Sequence, residues 1–144
     1  MRSRVAVLGS TGSIGRQALD VIASHPDRFE VVALAAGRDE VTFDEQVARF
    51  RPRLTALAKD GPAALEDIAT ATDVDLVLVG TTGVVSLRPT IAALEGGKVV
   101  ATANKETLVA GGHLVMPLAR RLAATAGDAD LAAGALNWLR PIDS

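Results

Sequence analysis

Three glycines at spacing three, Gly9, Gly12 and Gly15, stand where the apolar run Val5-Ala6-Val7-Leu8 gives way to an amphipathic segment. Glycine has no Cβ, so a strand can turn tightly there and a pyrophosphate can approach the backbone. The first N–H groups of the helix that follows point at the anion, with the positive end of the helix dipole behind them. Ser10, Thr11 and Ser13 add hydroxyls where a phosphate would sit. The spacing G-x-x-G-x-x-G varies the usual dinucleotide fingerprint, and the strand before and the helix after carry the reading. The alternative is a tight strand-to-helix turn that binds nothing.

In an open parallel sheet the tip of the second strand meets the adenine ribose. An acidic side chain there selects a free 2′-hydroxyl, and a basic one a 2′-phosphate. Here the tip reads Ala36-Gly37-Arg38-Asp39. Arg38 comes first, and a guanidinium binds phosphate through two parallel hydrogen bonds, which favours NADP. If Asp39 faced the ribose instead, NAD would bind.

A second cluster, Asn104-Lys105-Glu106, follows the strand expected at Lys98 to Ala101. The carboxyl ends of parallel strands form the ligand crevice, so this cluster shares a mouth with the glycine loop. Asn104 as a helix cap and Glu106 against the helix dipole have a purely structural explanation. Lys105 does not, since it is a cation where the dipole disfavours one.

The elements that must position these residues alternate regularly. Strands are expected at Val5–Leu8, Val31–Ala35, Leu54–Leu57, Leu76–Val79 and Lys98–Ala101. The first helix carries Ile14, Ala18, Val21 and Ile22 as one inward stripe, and His25-Pro26-Asp27 ends it. Thr42-Phe43-Asp44-Glu45 has the form of a capping box opening the second helix, with Val47 and Phe50 inward. Further helices are expected at Pro62–Ala71, Leu87–Leu94 and His113–Ala126. The order βαβαβαβαβα predicts an α/β fold, a Rossmann-like doubly wound parallel sheet with helices on both faces. Residues 1–127 form this NADP-binding domain. Residues 128–144 read as a linker and the truncated start of a further, catalytic domain.

Composition narrows the alternatives. The 144 residues suffice for one domain with a real core, 49% of them hydrophobic and only 3% aromatic, so Ala, Val, Leu and Ile must build it. A net charge of -2 gives no reason to expect nucleic acid or an anionic membrane as partner. The absence of cysteine excludes disulfides, thiolate metal sites and cysteine nucleophiles within this chain and fits a cytoplasmic protein. No apolar run approaches the roughly 20 residues of a membrane span, and no signal peptide is expected before the first strand. His25 and His113 are isolated and read as helix-end residues.

Four segments together, Val5 to Gly15, Ala36-Gly37-Arg38, Ala103-Asn104-Lys105-Glu106 and the terminal Arg140-Pro141-Ile142-Asp143-Ser144, resemble 1-deoxy-D-xylulose-5-phosphate reductoisomerase, in that family's order. The resemblance implies an NADPH-dependent enzyme of non-mevalonate isoprenoid biosynthesis. It would rearrange 1-deoxy-D-xylulose 5-phosphate and reduce the aldehyde to 2-C-methyl-D-erythritol 4-phosphate, with Mg²⁺ or Mn²⁺ holding the substrate's oxygens. It further implies that Thr11, Gly12, Ser13 and Ile14 line the pyrophosphate and nicotinamide, and that Gly37, Arg38 and Asp39 hold the 2′-phosphate end. Asn104 and Glu106 would contact NADPH, Lys105 and Ser144 the substrate, and Asp143 the metal. The family usually carries a longer stretch between Leu57 and Pro62 than the Ala58-Lys59-Asp60-Gly61 found here. It also continues past the serine into a catalytic domain, with which a homodimer is expected. The competing readings are another NADP-dependent oxidoreductase of the aspartate-semialdehyde dehydrogenase type, and a non-catalytic dinucleotide-binding module.

Overall fold

A computed structural model describes residues 2–80, 87–102 and 139–141. Among the described residues, six strands form one sheet: β1 (Ser3–Leu8), β2 (Phe29–Ala36), β3 (Leu54–Leu57), β4 (Leu76–Val79), β5 (Val99–Thr102) and β6 (Leu139–Pro141). Among the described residues, four α-helices connect β1 through β5: α1 (Ser13–Ser24), α2 (Glu40–Phe50), α3 (Pro62–Thr70) and α4 (Leu87–Glu95). All pairings are parallel, in the order β3-β2-β1-β4-β5-β6. The chain winds outward from β1 to β3, returns beside β1 as β4, and winds outward the other way, which is the doubly wound α/β arrangement.

Strand pleating divides the sheet residues between two apolar layers. On one face Val5, Val7, Leu34 and Leu78 pack with Leu19 and Ile22 of α1 and Phe43 of α2. On the other, Ala6, Leu8, Val77, Val79 and Val100 pack with Ile68 and Ala69 of α3 and with Ala93 and Leu94 of α4. Buried on both faces, the central strands read as continuous apolar runs.

Most element boundaries agree with the sequence to within two residues, and two details do not. The stripe expected on α1 is turned: Gly15, Leu19 and Ile22 are its buried residues, whereas Val21 is 57% exposed. The cause is Gly15, which must face the sheet for the helix to reach the loop before it. Ile14, Ala18 and Val21 therefore flank the contact and line, with Leu76 and Leu78, an apolar groove of about 310 Å³. The capping box expected at Thr42 is also displaced, because α2 begins at Glu40 and its cap is Asp39, whose side chain accepts from the Thr42 N–H.

Pro62 occupies the first turn of α3, as expected. A 3-10 turn, Ala58–Asp60, fills the short stretch before it. His25 caps α1, its N–H donating to Ile22 and its ring Nδ1 lying 3.0 Å from the Val21 carbonyl. Residues 139–141, within the segment read as linker and domain start, pair with β5 and extend the sheet. The helix expected over His113–Ala126 lies outside the described residues. Among those described, no helix is long and apolar enough to cross a membrane.

Candidate dinucleotide site

The site lies at the carboxyl ends of β1, β2 and β4, where the sheet changes winding direction. Gly9 leaves β1 with φ +84°, a left-handed conformation that favours glycine. The N–H groups of Gly9 and Ser10 both donate to the Ala35 carbonyl at the end of β2, at 2.7 and 2.9 Å. The loop is thereby tied to the neighbouring strand rather than left to swing. Gly12 is the N-cap of α1 in extended conformation, and no side chain caps the helix. No acidic residue occupies its first turn either. The leading N–H groups of α1 have no intrahelical acceptor and face the crevice with the dipole behind them, which makes an anion site.

The three glycines have different reasons. A Cβ on Gly15 would collide with the Gly9 carbonyl and come within 2.7 Å of the Ser10 Cα. A Cβ on Gly12 would meet only the Gly9 oxygen, at an ordinary 3.6 Å. Gly15 is thus required by packing, and Gly12 leaves space at the crevice. Gly80 closes the loop from the β4 side; its N–H donates to Leu8 at 2.7 Å, and a Cβ there would lie 3.3 Å from the Gly15 nitrogen. Its only sequence signal is a glycine directly after an apolar strand.

The hydroxyls divide as well. Thr11 and Ser13 are accessible, and the Ser13 Oγ accepts from Gln17 at 3.1 Å, leaving its proton to donate. Ser10, expected to face a phosphate, is instead fully buried. Tying its N–H to Ala35 turns its side chain inward. Beneath it sits Gln46 of α2, whose Nε2 donates to the Ser10 carbonyl at 2.8 Å. Nothing in the sequence marks this glutamine, a polar residue within a helix.

At the β2 tip, Gly37, Arg38 and Asp39 are all exposed. The Asp39 carboxylate is engaged as the α2 cap, 3.1 Å from the Thr42 nitrogen. Hydrogen bonding from Thr42, side chain and then backbone, with Arg16 adding its charge, holds Asp39 below the usual carboxylate range. The Arg38 guanidinium has no hydrogen-bond or ion-pair partner among the described residues. A cleft of about 370 Å³ beside it is also lined by Glu40 and Lys59, which pair at 2.8 Å. An adjoining apolar cleft of about 330 Å³ runs from Gly9 past Ala36 and Leu57 to Pro62 and Leu65. The free cation and the occupied acid at this tip fit a 2′-phosphate better than a 2′-hydroxyl.

The structure therefore brings Thr11, Gly12, Ser13, Ile14, Gly37, Arg38 and Asp39 to one edge of the sheet. Asn104, Lys105, Glu106, Asp143 and Ser144 lie outside the described residues. Among those described, no group of three His, Asp or Glu could hold a metal ion.

Comparison with known proteins agrees with this geometry. The family model described as 1-deoxy-D-xylulose 5-phosphate reductoisomerase matches residues 5–64 and 55–112. A reductoisomerase of that name from Leifsonia xyli subsp. xyli is 54% identical over 112 residues, which are 78% of this chain and 30% of that one. One from Pelotomaculum thermopropionicum is 44% identical over 137 residues, covering 81% of this chain and 35% of the relative. Among solved structures, a DOX-P reductoisomerase in complex with NADPH, fosmidomycin and magnesium superimposes with a TM-score of 0.78 at 29% identity. That match covers 83% of this chain and 34% of the other. The chain spans about a third of the length of these curated relatives. With the family model matched over most of its length, the chain belongs to the 1-deoxy-D-xylulose 5-phosphate reductoisomerase family.

Proposed function

We propose that this chain is the NADPH-binding part of a reductoisomerase that converts 1-deoxy-D-xylulose 5-phosphate to 2-C-methyl-D-erythritol 4-phosphate. The observation that carries the reading is the uncapped α1 N-terminus behind Gly12, at the switch point between β1 and β4. The pyrophosphate would lie over the loop from Thr11 to Ile14. The 2′-phosphate would meet Arg38, with the apolar cleft at Ala36, Leu57 and Leu65 accepting a flat ring between them. Bound there, NADPH would supply the hydride that reduces the rearranged aldehyde.

This chain's own residues bind and orient. The loop holds a doubly charged linker by backbone donors, which do not depend on a side-chain rotamer. Arg38 fixes the far end, so the reactive ring is directed toward the β4 and β5 side of the crevice. Lys105 and Ser144 toward substrate, Asn104 and Glu106 toward the cofactor, and Asp143 toward Mg²⁺ or Mn²⁺ complete the proposal on the family's pattern. The remaining two thirds of the family's length would supply the other metal and substrate contacts and the surface of a homodimer.

Calorimetric titration of this chain with NADPH and NADH tests the reading. One-to-one binding that favours NADPH supports it. No binding of either dinucleotide would overturn it.

A further inference from the structure

Two buried oxygens under the phosphate loop have no hydrogen-bond partner among the described residues, the Ser10 Oγ and the Gln46 Oε1. Ser10 is 0% exposed and Gln46 8%. Unpaired buried polar atoms cost free energy, and an apolar side chain of the same shape would bring none of its own. A glutamine kept here for stability alone is therefore a poor choice of residue. What it does make is one buried hydrogen bond, from Nε2 to the Ser10 carbonyl at 2.8 Å.

That bond fixes a peptide plane. The Ser10 carbonyl belongs to the peptide whose N–H is that of Thr11, and the two point in opposite directions. Holding the oxygen down toward α2 turns the Thr11 N–H up, toward the crevice. The Ser10 N–H is already committed to Ala35, so the peptides on both sides of Ser10 are set. Gln46 also stands two turns into the helix that Asp39 caps, immediately after Arg38. A single helix therefore ties the tip holding one end of a dinucleotide to the loop holding its middle.

We infer that Gln46 is a positioning residue for the phosphate loop, setting the Thr11 peptide for the pyrophosphate without touching the ligand itself. The inference rests on the dinucleotide reading given above.

The test compares NADPH with 2′-AMP, which carries the 2′-phosphate and the adenine but no pyrophosphate. In this chain Gln46→Met keeps the volume and removes the donor. NADPH should bind roughly 3- to 10-fold more weakly, the effect of one intramolecular hydrogen bond. 2′-AMP should bind as to the wild type, and the melting temperature should fall because the Ser10 carbonyl loses its donor, by an amount reduced by the loss of the unpaired Gln46 oxygen. Ser10→Ala, which removes only an unpartnered hydroxyl, should leave both affinities unchanged. Should Gln46→Met not fold, Gln46→Leu, which also lacks the donor and carries no charge, carries the same comparison. Unchanged NADPH affinity, or equal weakening of both ligands, would overturn the positioning role while leaving the dinucleotide reading intact. If the wild-type chain bound neither ligand, the dinucleotide reading itself would fall, and this one with it.

Discussion

The backbone of Gly15 packs against the Gly9 carbonyl so closely that no side chain fits between them. This contact sets how near α1 comes to the end of β1, and hence where its N-terminus points. Gly15→Ala should therefore destabilise the whole domain, at or above the upper end of the about 1–3 kcal/mol typical of overpacking, because both colliding groups are backbone. Gly12→Val should behave differently. Gly12 has φ -76° and its Cβ would make only an ordinary contact with the Gly9 oxygen, so the fold survives, but the branched side chain occupies the approach of the pyrophosphate. Thermal melting and NADPH titration of both variants separate the two roles. A stable Gly15→Ala, or a Gly12→Val that binds normally, would contradict them.

Cofactor preference should follow Arg38. NADPH should bind more tightly than NADH, and Arg38→Ala should remove most of the difference. Charge-assisted hydrogen bonds to a phosphate correspond to about 10- to 150-fold in affinity. Asp39→Ala should lower the melting temperature by loss of the α2 cap, without reversing the preference. A gain in NADH affinity from neither variant, with NADH preferred by the wild type, would mean that Asp39 turns from its cap to the ribose.

The helix rotation and the buried serine show why part of this site was hidden in the sequence. Strand β4 was legible residue by residue, because a four-residue apolar run between turn signals admits few other readings. Periodicity gave α1 but not its rotation, since Ile14, Ala18 and Val21 satisfy the helical repeat as well as Gly15, Leu19 and Ile22 do. A glycine counts for nothing in a hydrophobic pattern, yet Gly15 decides the rotation by contact. The same limit applies to Ser10 and Gln46, which meet across 36 positions of sequence. The loop's glycines could be read in order; the residue that holds the loop from below could not.

Acid stability should depend on the pair that joins β1 to β4. Asp75 accepts from the Arg4 backbone N–H at 2.9 Å and from its guanidinium at 3.1 Å through each carboxylate oxygen. The Arg4 side-chain bonds first, and its backbone N–H second, hold Asp75 below the usual carboxylate range. A carboxyl with a lowered folded-state pKa stabilises above its unfolded value and loses that contribution as pH falls through the folded one. The melting temperature should drop on acidification below the ordinary carboxylate range. Asp75→Asn should start lower at neutral pH and show a shallower acid decline. Because the pair is partly exposed, added salt should diminish the difference. Parallel acid limbs for wild type and variant would exclude Asp75 as a contributor.

Catalysis should require more than this chain. The family reaction needs a cation held by several oxygens, a substrate phosphate site and closure over the reacting carbonyl. These 144 residues span about a third of the relatives' length, and on the family's pattern Lys105, Asp143 and Ser144 supply one wall of that site. One carboxylate leaves a divalent cation largely hydrated, so it neither orients the substrate's oxygens nor polarises its carbonyl strongly. Without an enclosing second wall, water competes for the same positions and the hydride acceptor is not held near the nicotinamide. The chain should therefore bind NADPH yet oxidise none of it with saturating 1-deoxy-D-xylulose 5-phosphate and Mg²⁺ or Mn²⁺, under conditions where a full-length member of the family turns over. The absorbance of NADPH reads both outcomes directly. Metal-dependent oxidation by these residues alone would mean that a complete active site is assembled from them, and the division of labour argued here would be wrong.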